Sequence, residues 1–243
     1  TVAATTLHEI VRKLPDGAMI SLTEETGEGR LQVSAGRAQF TLPTLPKEDF
    51  PIMASAEYDV NYAVTAPILR RLFEKANFAI STEETRYYLN GIYLHTIEED
   101  GSKLRAVATD GHRLALCTLP EKIESSDDAQ VILPRKGVLE LARLLLAEED
   151  DIAIVIGTNH IRATTDEFTF TSKLVDGKFP DYQRVLPRNP NKIVHGSRLE
   201  LRQAFTRAAI LSNEKYRGVR LKLTDDSLDI VANNPEQEEA EEA

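Results

Sequence analysis

The sequence predicts an α+β fold made of tandem copies of one module, and three observations carry that reading. A series from Glu9-Ile-Val-Arg-Lys-Leu14 through Leu31-Gln-Val33 and Phe40-Thr41 to Leu45-x4-Phe50-Pro51 returns about 130 residues later. Its second copy reads Glu140-Leu-Ala-Arg-Leu-Leu145, Ile161-Arg-Ala163, Phe170-Thr171 and Leu174-x4-Phe179-Pro180. A second segment type recurs between these: Ile80-Ser81, Gly91-x2-Leu94 and Leu104-x2-Val107-Ala108-Thr109-Asp110 are echoed by Leu211-Ser212, Gly218-x2-Leu221 and Leu228-x2-Val231-Ala232-Asn233-Asn234. Finally, each half-unit reads as one helix followed by strands, the pattern of an α+β module. Proline-bearing stretches at 45–56 and 186–192 separate the units, which places boundaries near residues 57 and 187. The phase of the repeat predicts a fragment that holds one whole unit flanked by two half-units. Such half-units are expected to leave apolar faces uncovered and to favour association.

Taken in order, Thr5–Leu14 is predicted helical, with Leu7, Ile10, Val11 and Leu14 on one face. Strands are predicted at Met19–Leu22, Arg30–Val33 and Arg37–Leu42. Ala66–Ile80 is the clearest helix: Pro67 lies in its first turn, where a missing N–H costs little, and Ile68, Leu69, Leu72, Phe73, Ala76 and Phe78–Ile80 keep helical spacing. Strands follow at Tyr88–His95, Lys103–Thr109 and Arg113–Leu119. The helix Arg135–Leu146 follows Pro134, then strands at Ile152–Ile156, Asn159–Thr164 and Phe168–Lys173. Arg198–Ser212 is the last helix, before strands at Val219–Leu223 and Ser227–Ala232.

The composition suits a globular protein: 42% of the 243 residues are hydrophobic, and no apolar run reaches the roughly 18 residues that span a bilayer. A single cysteine, Cys117, excludes an internal disulfide and fits a reducing cytoplasm. The formal charge of −10 argues against nucleic acid until its distribution is considered. The four helices carry Arg12, Lys13, Arg70, Arg71, Lys75, Arg135, Lys136, Arg143, Arg198, Arg202 and Arg207 against only Glu9, Glu74, Glu140 and Glu200. Their net +7 leaves −17 for the rest of the chain. Basic helices on an acidic body can offer a positive surface to phosphate while the remaining exterior repels it. On one helix such residues would read as an ordinary solvated face. The same bias at equivalent places in a repeat points to a shared purpose. No helix-turn-helix or zinc-finger pattern appears, so contact would be with the backbone and independent of base sequence. Arg86-Tyr87-Tyr88 sets aromatics beside a cation, which either touch an exposed base or sugar or simply pack on a strand.

Thr109-Asp-Gly-His-Arg-Leu114 invites a catalytic reading, with Asp110 orienting His112 and Cys117 as nucleophile. Neighbours on a turn do not in general converge, however, and Asp110-Gly111 reads better as a tight turn feeding a strand. His8, His95, His160 and His195 lack metal-ligand spacing, and there is neither a glycine-rich phosphate loop nor a nucleophile elbow. No catalytic residue, metal site or cofactor is expected. Leu114, Pro180, Val185 and Leu186 near the second boundary, rimmed by Arg113 and Arg184, suggest an apolar peptide groove. An adaptor with no DNA role is the remaining alternative.

Several motifs resemble the bacterial DNA polymerase III beta subunit, the sliding-clamp family: Arg86-Tyr-Tyr-Leu-Asn-Gly91, Ala108-Thr-Asp-Gly-His-Arg-Leu114, Pro134-Arg-Lys-Gly137, Ser172-Lys-Leu-Val-Asp-Gly-Lys-Phe-Pro-Asp-Tyr182 and Leu211-Ser-Asn-Glu-Lys-Tyr-Arg-Gly218. Ala232-Asn-Asn-Pro-Glu-Gln-Glu-Glu-Ala-Glu-Glu242 is similar to the same family, and the matches run in order along the chain. The resemblance implies tandem DNA-clamp domains: the second half of domain one at 1–57, a complete middle domain at 58–187 and the first half of domain three at 188–243. It implies a homodimeric ring of antiparallel sheets whose helices line a channel around duplex DNA, with no catalytic site. The DNA-facing set would be Arg70, Arg71, Lys75, Arg86, Tyr87, Tyr88, Arg135, Lys136, Arg143, Arg202 and Arg207. Partners would be the replicative polymerase, the clamp loader and other proteins with a short hydrophobic clamp-binding motif. Those motifs would enter a groove including Leu89, Thr109, Gly111, His112, Arg113, Leu114, Pro180, Arg184 and Val185. Subunits would meet through Phe40 and Leu42 on one side and Ile210 and Leu211 on the other. The acidic run 236–242 either adds charge pairing at that seam or is a disordered tail.

Overall fold

A computed structural model describes residues 1–25, 29–50, 58–123, 130–211, 218–224, 227–233 and 239–242. Parts of several sequence motifs, at 51–56, 212–217 and 234–238, lie outside the described residues. In chain order the helices are α1 (Ala4–Arg12), α2 (Ala66–Ala76), α3 (Arg135–Leu144) and α4 (Arg198–Ala208). The strands are β1 (Ser21–Glu25), β2 (Arg30–Ala35), β3 (Ala38–Pro43), β4 (Tyr58–Thr65), β5 (Gly91–Glu98), β6 (Ser102–Thr109), β7 (Leu114–Thr118), β8 (Gln130–Pro134), β9 (Asp151–Gly157), β10 (His160–Thr164), β11 (Thr169–Lys173), β12 (Arg220–Leu223), β13 (Leu228–Asn233) and β14 (Glu239–Glu242). Two compact units hold them, Thr1–Pro180 and Asp181–Ala243.

In the first unit, two four-stranded antiparallel sheets run β7-β6-β5-β8 and β11-β10-β9-β4. Each half of this domain gives its leading strand to the other half: β4 pairs with β9, and β8 pairs with β5. The helices repeat this exchange. The first N–H of α2, at Ala66, donates to the Asp150 carbonyl just ahead of β9, and that of α3, at Arg135, donates to the Asn90 carbonyl just ahead of β5. Helix N-termini leave such donors orphaned, and here the opposite half satisfies them. In one shared core, Leu69, Leu72 and Phe73 of α2 and Val138 and Leu141 of α3 are fully buried with Ile92, Leu94, Leu133, Ile152 and Ile154. Each large side chain so buried stabilises the fold by about 1.5–3 kcal/mol. Arg70 Nη1 ties the two helices, donating to the carbonyls of Leu145 and Leu146 at 3.4 Å.

The preceding part of this unit is the three-stranded sheet β1-β2-β3 with α1. Helix α1 is amphipathic yet has no buried residue. A cavity of about 270 Å³ lies against it, lined by Ile10, Leu14 and Phe40 among others. Val33 and Leu42 are the buried residues of this sheet.

In the second unit, the Ser197 hydroxyl caps α4 by accepting from the Glu200 N–H. Ala208 packs with Ile230 and Ala232 of β13, flanked by Ala204 and Phe205. The sheet order is β12-β13-β14.

Four readings from the sequence change. Residues 84–89 form a 3₁₀ segment, so the strand expected from Tyr88 begins at Gly91. Strands β4 and β8 were not expected, and both are the exchanged ones. The second and fourth helices end early in 3₁₀ turns, Asn77–Ala79 and Ala209–Leu211. The acidic end is not wholly a tail: β14 pairs with β13, setting Ala240 opposite Ala232.

Candidate functional site

The Thr109–Leu114 turn, between β6 and β7, is braced by its own side chains. Thr109 Oγ1 donates to the Arg113 carbonyl at 2.7 Å and accepts from the Gly111 N–H at 3.1 Å. Asp110 Oδ1 accepts from the N–H groups of His112 (2.9 Å) and Arg113 (3.0 Å), and Oδ2 accepts from Arg113 Nε at 3.0 Å. Gly111 sits at φ +91°, in the left-handed region that a side chain disfavours. Burial is the largest single influence on the Asp110 carboxyl and pushes its pKa up. The N–H groups of Arg113 and His112, with the Arg113 guanidinium, together outweigh it and hold the value at about 2.

This carboxylate is committed to the backbone and to Arg113, so Asp110 does not serve as the orienting partner of a catalytic His112. Cys117 packs against the core from β7, while His112 is exposed. The hydrolase arrangement suggested by the spacing is therefore not assembled.

Two residues that the sequence reading did not place at the site complete the turn. Phe78, just past α2, lies under the Arg113 guanidinium at 5.6 Å from the ring centroid. Glu83 binds Arg86 through both Nε and Nη2 and also accepts from Thr85 Oγ1 at 2.8 Å. Arg86 Nη1 is pressed against Gly111, only 2.7 Å from where a Cβ would stand. Arg86 therefore lies at the Thr109–Leu114 turn, away from the helices that carry most of the cations grouped with it in the sequence. The i,i+3 spacing of Glu83 and Arg86 was the available signal; the sequence reading placed Phe78 only among the apolar positions of the second helix, whereas it is exposed beyond the helix end. Tyr87 and Tyr88 meet edge to face at 5.7 Å and lie against Gly177.

The other expected groove residues divide. Leu114 is half-buried and Pro180 exposed, but Leu89 is buried in the core and offers little to a ligand. In the second unit Arg184 pairs with Asp181 at 2.8 Å, and Val185 is exposed. Of the residues assigned to a subunit contact, Ile210 is exposed, and Leu211 and Phe40 are half-buried. Leu42 is buried within the chain, so a partner would reach that strand face through Phe40.

The helical cations also divide. Arg70 is spent on the carbonyls at the end of α3 and on Glu74 at 3.7 Å, and Arg143 pairs with Glu140 at 3.0 Å. Arg71 and Lys75 on α2 and Lys136 on α3 are exposed and have no ion pair among the described residues. Arg135 is half-buried at the start of α3; Arg202 and Arg207 are exposed on α4. Among the described residues no cluster of three or more His, Cys, Asp or Glu is spaced to hold a metal, and no helix is long and apolar enough to cross a membrane.

Family profiles of the DNA polymerase III beta subunit match along the chain: the N-terminal domain at residues 1–54, the central domain at 63–181 and the C-terminal domain at 183–243. The beta sliding clamp of Pseudomonas aeruginosa is 56% identical over 242 residues, and that of Escherichia coli K12 is 50% identical over 242 residues. Both alignments cover 100% of this chain but only 65% and 64% of those proteins, so the chain spans about two thirds of their length. The crystal structure of the P. aeruginosa DNA polymerase III subunit beta superposes with a TM-score of 0.92 at 55% identity, covering 99% of this chain and 65% of that one. A P. aeruginosa sliding clamp bound to griselimycin superposes at 0.89, with 55% identity over 99% of this chain and 64% of that one.

Proposed function

Because this chain belongs to the DNA polymerase III beta subunit family, we propose that it serves as the greater part of a non-catalytic DNA sliding clamp. The proposed domains are 1–57, 58–187 and 188–243, the first and last being halves. In the whole protein, two subunits close head to tail through Phe40 on one side and Ile210 and Leu211 on the other. The helices then face duplex DNA, and the Thr109–Leu114 turn, with Pro180, Arg184 and Val185, receives the hydrophobic motif of the replicative polymerase, the clamp loader and other partners. It works in the cytoplasm, where the DNA is.

One observation carries this reading. Three cations without ion pairs among the described residues, Arg71, Lys75 and Lys136, stand exposed on two helices in mutual contact, in a protein of net charge −10. Unpaired cations attract phosphate without reading bases. A ring that must slide needs that kind of attraction: strong enough to centre the duplex, with no preferred position along it.

Topological retention tests the proposal. The full-length protein carrying this chain, assembled on circular DNA by a clamp loader, should stay bound through a salt wash and be lost when the same DNA is cut once. Equal retention on circular and linear DNA would refute encirclement.

A further inference from the structure

Arg86 has five N–H donors in a planar fork. Nε and Nη2 are taken by Glu83, while Nη1 faces Gly111. Hydrogen bonds from Thr85 and then Arg86 hold the Glu83 carboxyl below its ordinary pKa, and His112 across the turn adds to the effect. Glu83 is therefore a carboxylate placed beside the turn and already seated on Arg86, which lies against it.

We propose that Glu83 is a specificity-determining residue of the turn site: it competes internally for Arg86, holding down affinity for segments with a carboxylate next to their apolar anchors. An incoming carboxylate can take the Nε–Nη2 edge of Arg86 only by displacing Glu83, and on the Nη1 side meets a neutralised guanidinium with a negative charge beside it. An uncharged segment faces neither obstacle. The inference rests on the reading of Thr109–Leu114 as a partner-binding turn.

The test uses two synthetic octapeptides that share a Leu-Phe anchor and differ only in Asp or Asn at the preceding position. Fluorescence anisotropy then gives the ratio of their affinities. Glu83→Gln, which keeps the shape and an acceptor for Thr85, should raise the Asp-to-Asn affinity ratio about 2- to 5-fold, the range of an exposed charge-assisted pair. The gain should shrink as salt is raised. In an Arg86→Ala background Glu83→Gln should leave the ratio where Arg86→Ala alone puts it. An unchanged ratio, or the same gain or loss for both peptides, would overturn the proposal and leave Glu83 as support for the turn. Leu114→Asp separates the two levels. If it abolishes binding of both peptides, the turn is the site and only the Glu83 assignment is at stake. If it binds both as the wild type does, or if the wild type binds neither, the underlying reading fails.

Discussion

Removing Arg71, Lys75 and Lys136 together should change how DNA affinity depends on salt, whereas removing Arg70 should not. The helices supply cations in two states. Arg70 donates to two carbonyls of the neighbouring helix end and lies 3.7 Å from Glu74, so its charge is already in use. The other three are exposed and without ion pairs among the described residues. Each phosphate neutralised by a cation adds about 0.9 to the slope of log affinity against log salt. Losing three such contacts lowers the slope by about 2.7. Between 50 and 200 mM salt, a fourfold range, the fall in affinity should then be about 40-fold smaller than for the wild type. Arg70→Ala should leave the slope in place and instead lower the unfolding free energy from urea titration by about 1 kcal/mol, for two long, partly exposed hydrogen bonds. The assay is anisotropy of a labelled 30-base-pair duplex across a salt series, with urea unfolding of the same proteins. An unaltered slope in the triple alanine variant, or a slope lowered as much by Arg70→Ala, would refute this division of the cations.

Three further outcomes follow from the geometry. Tyr62 is buried in β4 with a hydroxyl that meets no hydrogen-bond partner among the described residues, and burial pushes its pKa well above the ordinary tyrosine value. Tyr62→Phe should therefore be neutral or raise stability by about 1 kcal/mol in urea unfolding, and a loss of that size would mean the hydroxyl is satisfied. Asp110 has its pKa depressed to about 2, so its contribution to stability is present above the unfolded value near 4 and is lost as pH falls through 2. Asp110→Asn should lose about 1 kcal/mol at pH 7 after solvent screening, with the gap to wild type closing between pH 4 and 2. Gly111→Ala combines a left-handed backbone with a close approach of Arg86 and should cost about 1–3 kcal/mol. Adding Arg86→Ala should relieve only the steric part, leaving the φ strain.

The helices were legible because two independent signals agreed at α2 and α3: a proline at or just before the first turn and apolar residues three and four apart. Strand β4 was missed although Val60, Tyr62 and Val64 alternate inward along it. Its partner, β9, begins 86 residues further on, and nothing local announces so distant a pairing. Strand β8 buries the consecutive residues Ile132 and Leu133 and ends at Pro134, so it lacks the alternation of faces that marks a half-buried strand. The 84–89 segment misled in the opposite direction. Adjacent aromatics favour a strand, but Tyr87 is exposed, Tyr88 half-buried and Leu89 buried, which is no alternation of faces.

The candidate site was legible to different depths for a related reason. Composition counts charges but cannot tell which are spent. Helical phase carries part of the missing information. With Leu69, Leu72, Phe73 and Ala76 buried, Arg71 and Lys75 fall four apart on the opposite face, whereas Arg70 lies on the flank, where a neighbouring helix can engage it. What phase cannot supply is the neighbour itself. Arg70 is occupied because strand exchange brings the end of α3 beside α2, and Arg86 is occupied because a 3₁₀ segment carries Glu83 to it across the turn from Gly111. For Arg70 the decisive partner belongs to a different element, whereas Arg86 finds its partner three residues back in the same segment. Any sequence whose middle domain keeps the exchanged strands should then preserve a hydrogen-bonding side chain at position 70 even where the cations at 71 and 75 vary. A variant that replaces Arg70 by Gln and retains most of the helix–helix stability, while Arg70→Leu does not, would show that the carbonyl contacts and not the charge are what that position supplies.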